Sequence, residues 1–285
     1  MITSRRKITQ QEPVISFSSP AIQRAKSRQR RRTLIVTAGR IILFVCLISF
    51  WQFASGRLVN PLFISSPSDI VQRLWQWIGD GTLWLQTSVT LEEVLLGLLY
   101  GTSAGVVAGV ILGMLPTVAQ IFDPFLVMLN SIPKVAIAPV FILWFGIAIE
   151  MKVILAALTV FFLVFFNTLS GVRDVDQNLI NAVTLMGAKR RHIILKVIFP
   201  SAIGYILTGF RIAIPYALIG AVIGELVAAS SGLGYQIMTS SSEFDAAGVF
   251  AALLVLTVIS ALLNAVVNFI YRLASRWKAG TTTRR

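Results

Sequence analysis

The chain has 285 residues, of which 56% are hydrophobic and 13% charged, with a formal net charge of +13 and a mean hydropathy of +0.80. Soluble globular domains carry about 25% charged residues, so this composition excludes one and indicates an integral membrane protein. The basic excess raises nucleic acid as a partner, but the placement of the cations makes that reading unnecessary.

Residues 1–33 are rich in Ser, Gln and Arg with little to bury, and are expected to form a disordered basic tail. The apolar run that follows is longer than the core of a secretory signal, so an uncleaved first helix is expected. A helix needs about 20 apolar residues to cross a hydrocarbon core of about 30 Å. Six runs qualify, at 34–54, 94–115, 121–146, 151–171, 203–228 and 247–271. They lack the alternation of barrel strands, and lipid offers backbone amides no partners, so the expected fold is all-α, a polytopic bundle of about six transmembrane helices. The membrane domain then occupies 34–273, with an inner-face segment at 174–200 and a C-terminal tail at 274–285.

Nine Lys and Arg fall in 1–33, five in 172–202 and five from Arg272 onward, all on one side of a six-span arrangement. The bias of cations toward the inner face places both termini and segment 174–200 in the cytoplasm. Cys46 is the single cysteine and lies within the first run, which excludes an internal disulfide.

After the first span, Ser66, Pro67 and Asp69 form a helix-start signal. Ile70, Val71, Leu74, Trp75 and Ile78 then share one face, predicting a short helix on the outer interface with Trp77 and Trp84 at headgroup level. In the second span Gly97, Gly101, Gly105, Gly109 and Gly113 recur every four positions, a stripe for close helix packing. Pro133 and Pro139 predict that the third span is kinked or broken, with Lys134 beside the break.

Segment 174–200 is the most informative. Asp174 and Asp176 suit a helix start, Leu179, Ile180, Ala182, Val183 and Met186 supply an apolar face, and Gly187 fits a C-terminal cap. Lys189, Arg190, Arg191 and Lys196 follow, and Pro200 marks the return to the membrane. The pattern predicts a short cytoplasmic helix, a turn and a basic second helix. Its apolar face suits anionic headgroups or a protein contact.

In the spans beyond, Arg211 is the sharpest intramembrane charge, facing either the bundle interior or, by snorkelling, the cytoplasm. Glu225 lies about 21 Å further along the same helix on roughly the same face, too far for a direct pair and near an outer gate. With an anionic solute, Lys134 and Arg211 are the natural attractive charges. His192 lacks partners for a metal, and no catalytic or cofactor-binding set is evident. "SSGLG", residues 230–234, superficially suggests a phosphate loop, but its outer position favours a turn.

The spacing of segment 181–200 resembles the EAA loop of ATP-binding-cassette importer permeases. Asn181, Ala182 and Val183 occupy the Glu-Ala-Ala positions, Gly187 and Ala188 follow, and Val197, Ile198, Phe199 and Pro200 close the pattern. Asn181 stands where the pattern has Glu and Val183 where it has the second Ala. "IAPVFILWFGI" and "GELVAASSGLGYQI" are similar to the branch serving nitrate, sulfonate, taurine and bicarbonate importers.

The resemblance implies a type I importer permease whose coupling helix, built from Asn181, Ala182, Val183, Gly187, Ala188 and Pro200, docks on an ATPase subunit. Independently of the resemblance, the charges Lys134, Arg211 and Glu225 are the expected pathway or gate residues. The resemblance further implies a second permease copy, an ATP-binding-cassette ATPase dimer that holds ATP and Mg, and an extracytoplasmic solute-binding protein, in a bacterial inner membrane. The chain has no G-x-x-x-x-G-K-[ST] phosphate loop, so it is expected to be non-catalytic. The competing expectation is an ion-coupled secondary transporter, which would use discontinuous helices about a midplane site.

Overall fold

The computed structural model describes residues 20–60 and 63–275. Its elements are α1 (Pro20–Ala54), α2 (Pro67–Gly79), α3 (Thr82–Gly113), α4 (Pro116–Ser131), α5 (Lys134–Phe145), α6 (Ile149–Arg173), α7 (Gln177–Leu185) and α8 (Arg190–Ile193). A π-helical turn (Ile194–Ile198) leads into α9 (Phe199–Ala228), followed by α10 (Leu233–Ser242) and α11 (Ala246–Ser275). Among the described residues five helical runs are long and apolar enough to cross a membrane, or up to six if the bent pair α4 and α5 forms one span.

The bundle is built on α6, which is buried along most of its length between α3 and α9. The glycine stripe of α3 explains the close approach. A Cβ on Gly97 would lie 2.5 Å from Ala156 Cβ, and one on Gly113 would lie 2.6 Å from Val172 Cγ1. With no methyl groups on that stripe, the α6 side chains reach the α3 backbone, as small residues allow in membrane helices. Val94, Leu98, Val160, Val164, Ile214 and Leu218 complete the central core.

The third span is broken: α4 and α5 meet at 90°. Pro133 sits in extended conformation at the break, where it cannot donate to a helical hydrogen bond, whereas Pro139 is accommodated inside α5. The tail expected to be disordered to residue 33 is helical from Pro20, because α1 continues the first span toward the N-terminus. The remainder of that tail, residues 1–19, and residues 276–285 lie outside the described residues. None of the apolar window of α1 is buried against the rest of the chain.

At the other boundary, α2 starts as its sequence predicts, with Ser66 Oγ accepting from the Asp69 amide at 3.2 Å. Its apolar face is rotated from the expected one. Ile70 and Trp77 are buried with Ala251 and Ala252 of α11, while Val71, Trp75 and Ile78 are exposed. Trp77 therefore packs in a protein core, whereas Trp84 is exposed. An Arg73–Asp245 ion pair at 2.8 Å fixes this orientation. In the turn leading into α3, the Thr82 amide donates to Asp80 at 2.9 Å, which holds that carboxyl below its usual range.

Candidate functional site

Two constellations sit at opposite ends of the central helices. The first is a buried polar cluster where α3, α6 and α9 meet the loop before α10. Gln86, Thr90 and Glu93 lie at i, i+4 and i+7 on α3, one face of a helix. Lys152 projects from α6 and Glu225 from α9. All five are buried, Glu93 and Thr90 completely. Lys152 forms an ion pair with Glu93.

Glu225 is held differently. Its Oε1 accepts from Thr90 Oγ1 at 2.7 Å, and its Oε2 accepts from the Gly234 amide at 2.7 Å. The Leu233 amide donates to Thr90 Oγ1 at 2.8 Å, and the Gly232 amide donates to Gln86 Oε1 at 2.6 Å. Three consecutive amides at the start of α10 are thus satisfied by side chains, and the helix dipole places its positive end against a carboxylate. Gly232 has φ +109°, and a Cβ there would collide with the Glu225 carboxyl, so only glycine closes the loop. The "SSGLG" stretch is a turn, as expected, and the amides that a phosphate would need are already taken by the protein. The cluster does no bond chemistry; it clamps α10 and its loop to the three central helices.

The second constellation is segment 174–200. Asp176 caps α7, its Oδ1 accepting from the Asn178 amide at 2.8 Å. Asp174 plays another role, ending α6 and accepting from Tyr205 Oη at 2.7 Å. At the far end of α7, Gly187 has φ +81°, its amide donates to Thr184 O at 2.9 Å, and the Ala188 amide donates to Val183 O at 3.2 Å. That paired bonding is the glycine-terminated helix stop anticipated from sequence.

The face of α7 divides. Ile180 packs toward Val172, Ile198 and Ala202, whereas Leu185 and Met186 are 89% and 85% exposed. Asn181 accepts from Gln177 Nε2 at 3.1 Å and stays exposed, as do Ala182 and Pro200; Val183 and Ala188 are half-buried. The basic second helix is present as α8, and the π-helical turn joins it to α9 without a break. Such turns insert an extra residue into a helix and occur frequently at functional sites.

The three charges expected along a pathway are not brought together. Lys134 sits at the 90° break, donating to the Asn130 carbonyl and, at 3.3 Å, to Asn130 Oδ1, with its ammonium 5.5 Å from the Phe162 ring centroid. Arg211 is exposed and Glu225 buried, so the shared face expected from their spacing is not shared in environment. His192 is exposed, and no group of three or more potential metal ligands occurs among the described residues. Glu93 and Lys152 were not anticipated. The available signal was three ionisable residues, Glu93, Lys152 and Glu225, each within or beside a long apolar run.

Residues 101–279 match the family model described as the binding-protein-dependent transport system inner membrane component. The chain belongs to that family. Among its relatives, the putative aliphatic sulfonates transport permease protein SsuC of Bacillus subtilis is 33% identical, with 84% of this chain and 87% of the relative covered. The riboflavin transport system permease protein RibX of Chloroflexus aurantiacus is 34% identical, with 85% and 90% covered. An inward-facing crystal form of the MetNI methionine ABC transporter has a chain that superposes with a TM-score of 0.60. That match is at 17% identity and covers 70% of this chain and 96% of the other, establishing a shared fold. This family member is therefore a multi-pass inner membrane component with the fold of an importer permease.

Proposed function

We propose that the chain is the translocation subunit of an ATP-driven importer, pairing with a second copy of itself and with two ATP-binding-cassette ATPase subunits on the cytoplasmic side. The observation that carries this reading is the elbow of segment 174–200. A capped helix, stopped by Gly187, presents Leu185 and Met186 almost fully to solvent beside a run of cations. An exposed apolar tip on a soluble segment is a contact surface. ATP and Mg would be held by the partner, since no phosphate loop occurs in this sequence. Closure of the ATPase dimer would push α7, and the continuous helical path through α8 and the π-helical turn would pass that motion to α9.

Both termini then lie in the cytoplasm, and the buried cluster lies at the outer face, where a solute-binding protein would deliver its cargo. Glu225 would act there by anchoring the loop before α10, while Lys134 and Arg211 would supply attraction for a small polar or anionic solute. The named solutes of the relatives, aliphatic sulfonates and riboflavin, differ widely at nearly equal identity, so overall likeness does not select between them. Lys134 at the helix break favours the anionic class, because it sets a cation within the broken third span.

The test is copurification. Tagged chain extracted with its ATPase should retain that subunit, and Leu185→Glu with Met186→Glu should release it while leaving the chain folded and monodisperse. Uptake by the chain alone under an ion gradient, with no ATPase bound, would establish a secondary transporter in its place.

A further inference from the structure

Between α7 and the inner end of the bundle lies a cleft of about 350 Å³. Its wall is mostly apolar, built from residues such as Met114, Val172, Ile180 and Ile194, with Gln177 and two arginines, Arg173 and Arg190, also lining it. The π-helical turn forms part of that wall, so the extra residue it carries helps shape the cavity.

The arginines lack the partners that their surroundings would suggest. Asp174, next to Arg173 in sequence, is engaged by the Tyr205 hydroxyl, and Asp176 is engaged in capping α7. The ion pairs found among the described residues join Arg73 to Asp245 and Lys152 to Glu93, so neither Arg173 nor Arg190 has a carboxylate. Both arginines are exposed, and compensating the C-terminal dipole of α6 engages Arg173 alone. Arg173 also closes the apolar run of α6, placing the cleft at the depth where hydrocarbon gives way to headgroups.

We propose that this cleft seats an anionic phospholipid from the inner leaflet, with its phosphate between Arg173 and Arg190 and the adjoining acyl chain along the apolar wall. A phosphate matches the planar fork of a guanidinium, and basic pockets between helices on the cytoplasmic side are suited to lipid headgroups. A free oxyanion shares the headgroup chemistry, but apart from the arginines and Gln177 the wall is apolar and suits an acyl chain better than further anionic oxygens. The seat lies on the Ile180 side of α7, away from Leu185 and Met186, so lipid and ATPase do not compete. Bound there, the lipid props the joint between the elbow and α6. This inference rests on the cytoplasmic placement of segment 174–200 given above.

The test is native mass spectrometry of the full chain, extracted together with its ATPase subunit and exchanged into detergent carrying phosphatidylglycerol or phosphatidylethanolamine. Wild type is expected to retain phosphatidylglycerol on the order of tenfold better than phosphatidylethanolamine. Arg173→Gln with Arg190→Gln should abolish the preference. Val175→Glu, which adds a carboxylate to the wall, should weaken it, and Arg191→Gln, outside the cleft, should not. Equal retention by wild type and the double variant overturns the site. Arginine-dependent binding of inorganic phosphate to delipidated protein, without lipid preference, overturns the lipid assignment in favour of a free anion. ATPase retention is read in the same spectra, so wild type that keeps the subunit but shows no lipid preference refutes this seat alone and leaves the proposed function standing.

Discussion

The two ends of the central helices use the same kinds of residue to opposite effect. At the outer end, Glu93, Lys152, Glu225 and Thr90 are buried, and the amides of Gly232, Leu233 and Gly234 all find acceptors within the chain. At the opposite end, Leu185 and Met186 are exposed, and among the described residues Arg173 and Arg190 have no carboxylate partner. Intramembrane charge is costly unless paired, and the outer cluster meets that cost within the chain, with Lys152 on Glu93 and a hydroxyl and an amide on Glu225. Segment 174–200 leaves its apolar tip and its arginines open, which the proposed function assigns to partners. The contrast separates residues that hold the subunit's shape from residues that connect it to others.

Substitutions that break the outer cluster should therefore cost stability, and those at the inner end should cost assembly or coupling. Lys152→Met should be the most damaging, leaving Glu93 buried without its cation at a cost of about 3–5 kcal/mol. Adding Glu93→Leu should recover much of that loss, measured by thermal unfolding in detergent. If the double variant is as unstable as the single, the pair is not the source of the effect. Gly232→Ala should cost about 2–3 kcal/mol, from a strained positive φ and collision with the Glu225 carboxyl. Its signature would be early protease cleavage in residues 229–232.

Gly187→Ala should cost about 1 kcal/mol locally, since a Cβ there meets no atom within 4 Å and only the backbone conformation is strained. The effect to look for is ATP hydrolysis that no longer drives uptake; normal coupling would show that the elbow tolerates a looser stop. Arg211→Gln should change stability by less than about 0.5 kcal/mol, because the side chain is exposed and unpaired among the described residues. Uptake should fall while ATPase binding persists, and unchanged transport kinetics would remove Arg211 from the pathway.

What the sequence discloses follows the same division. The elbow is local: the Asp176 cap and the Gly187 stop are set by residues within a turn or two, so their spacing predicts them. The spans are legible because hydropathy is a property of single runs, although α3 begins at Thr82, well before its most apolar stretch. The outer cluster is long-range. Thr90 meets Glu225 across 135 positions and Gln86 meets Gly232 across 146, and no local pattern encodes those pairings. The rotated face of α2 has the same origin, because it is chosen by Ala251 and Ala252 on α11.

The bare stripe of α3 carries a mechanical consequence. Where Gly97, Gly101 and Gly105 let Ala156, Val160 and Val164 sit against backbone, there is no lubricating layer of side chains along which one helix could slide past its neighbour. The two are packed as a single girder. The right-angled joint between α4 and α5 is the natural place for compliance.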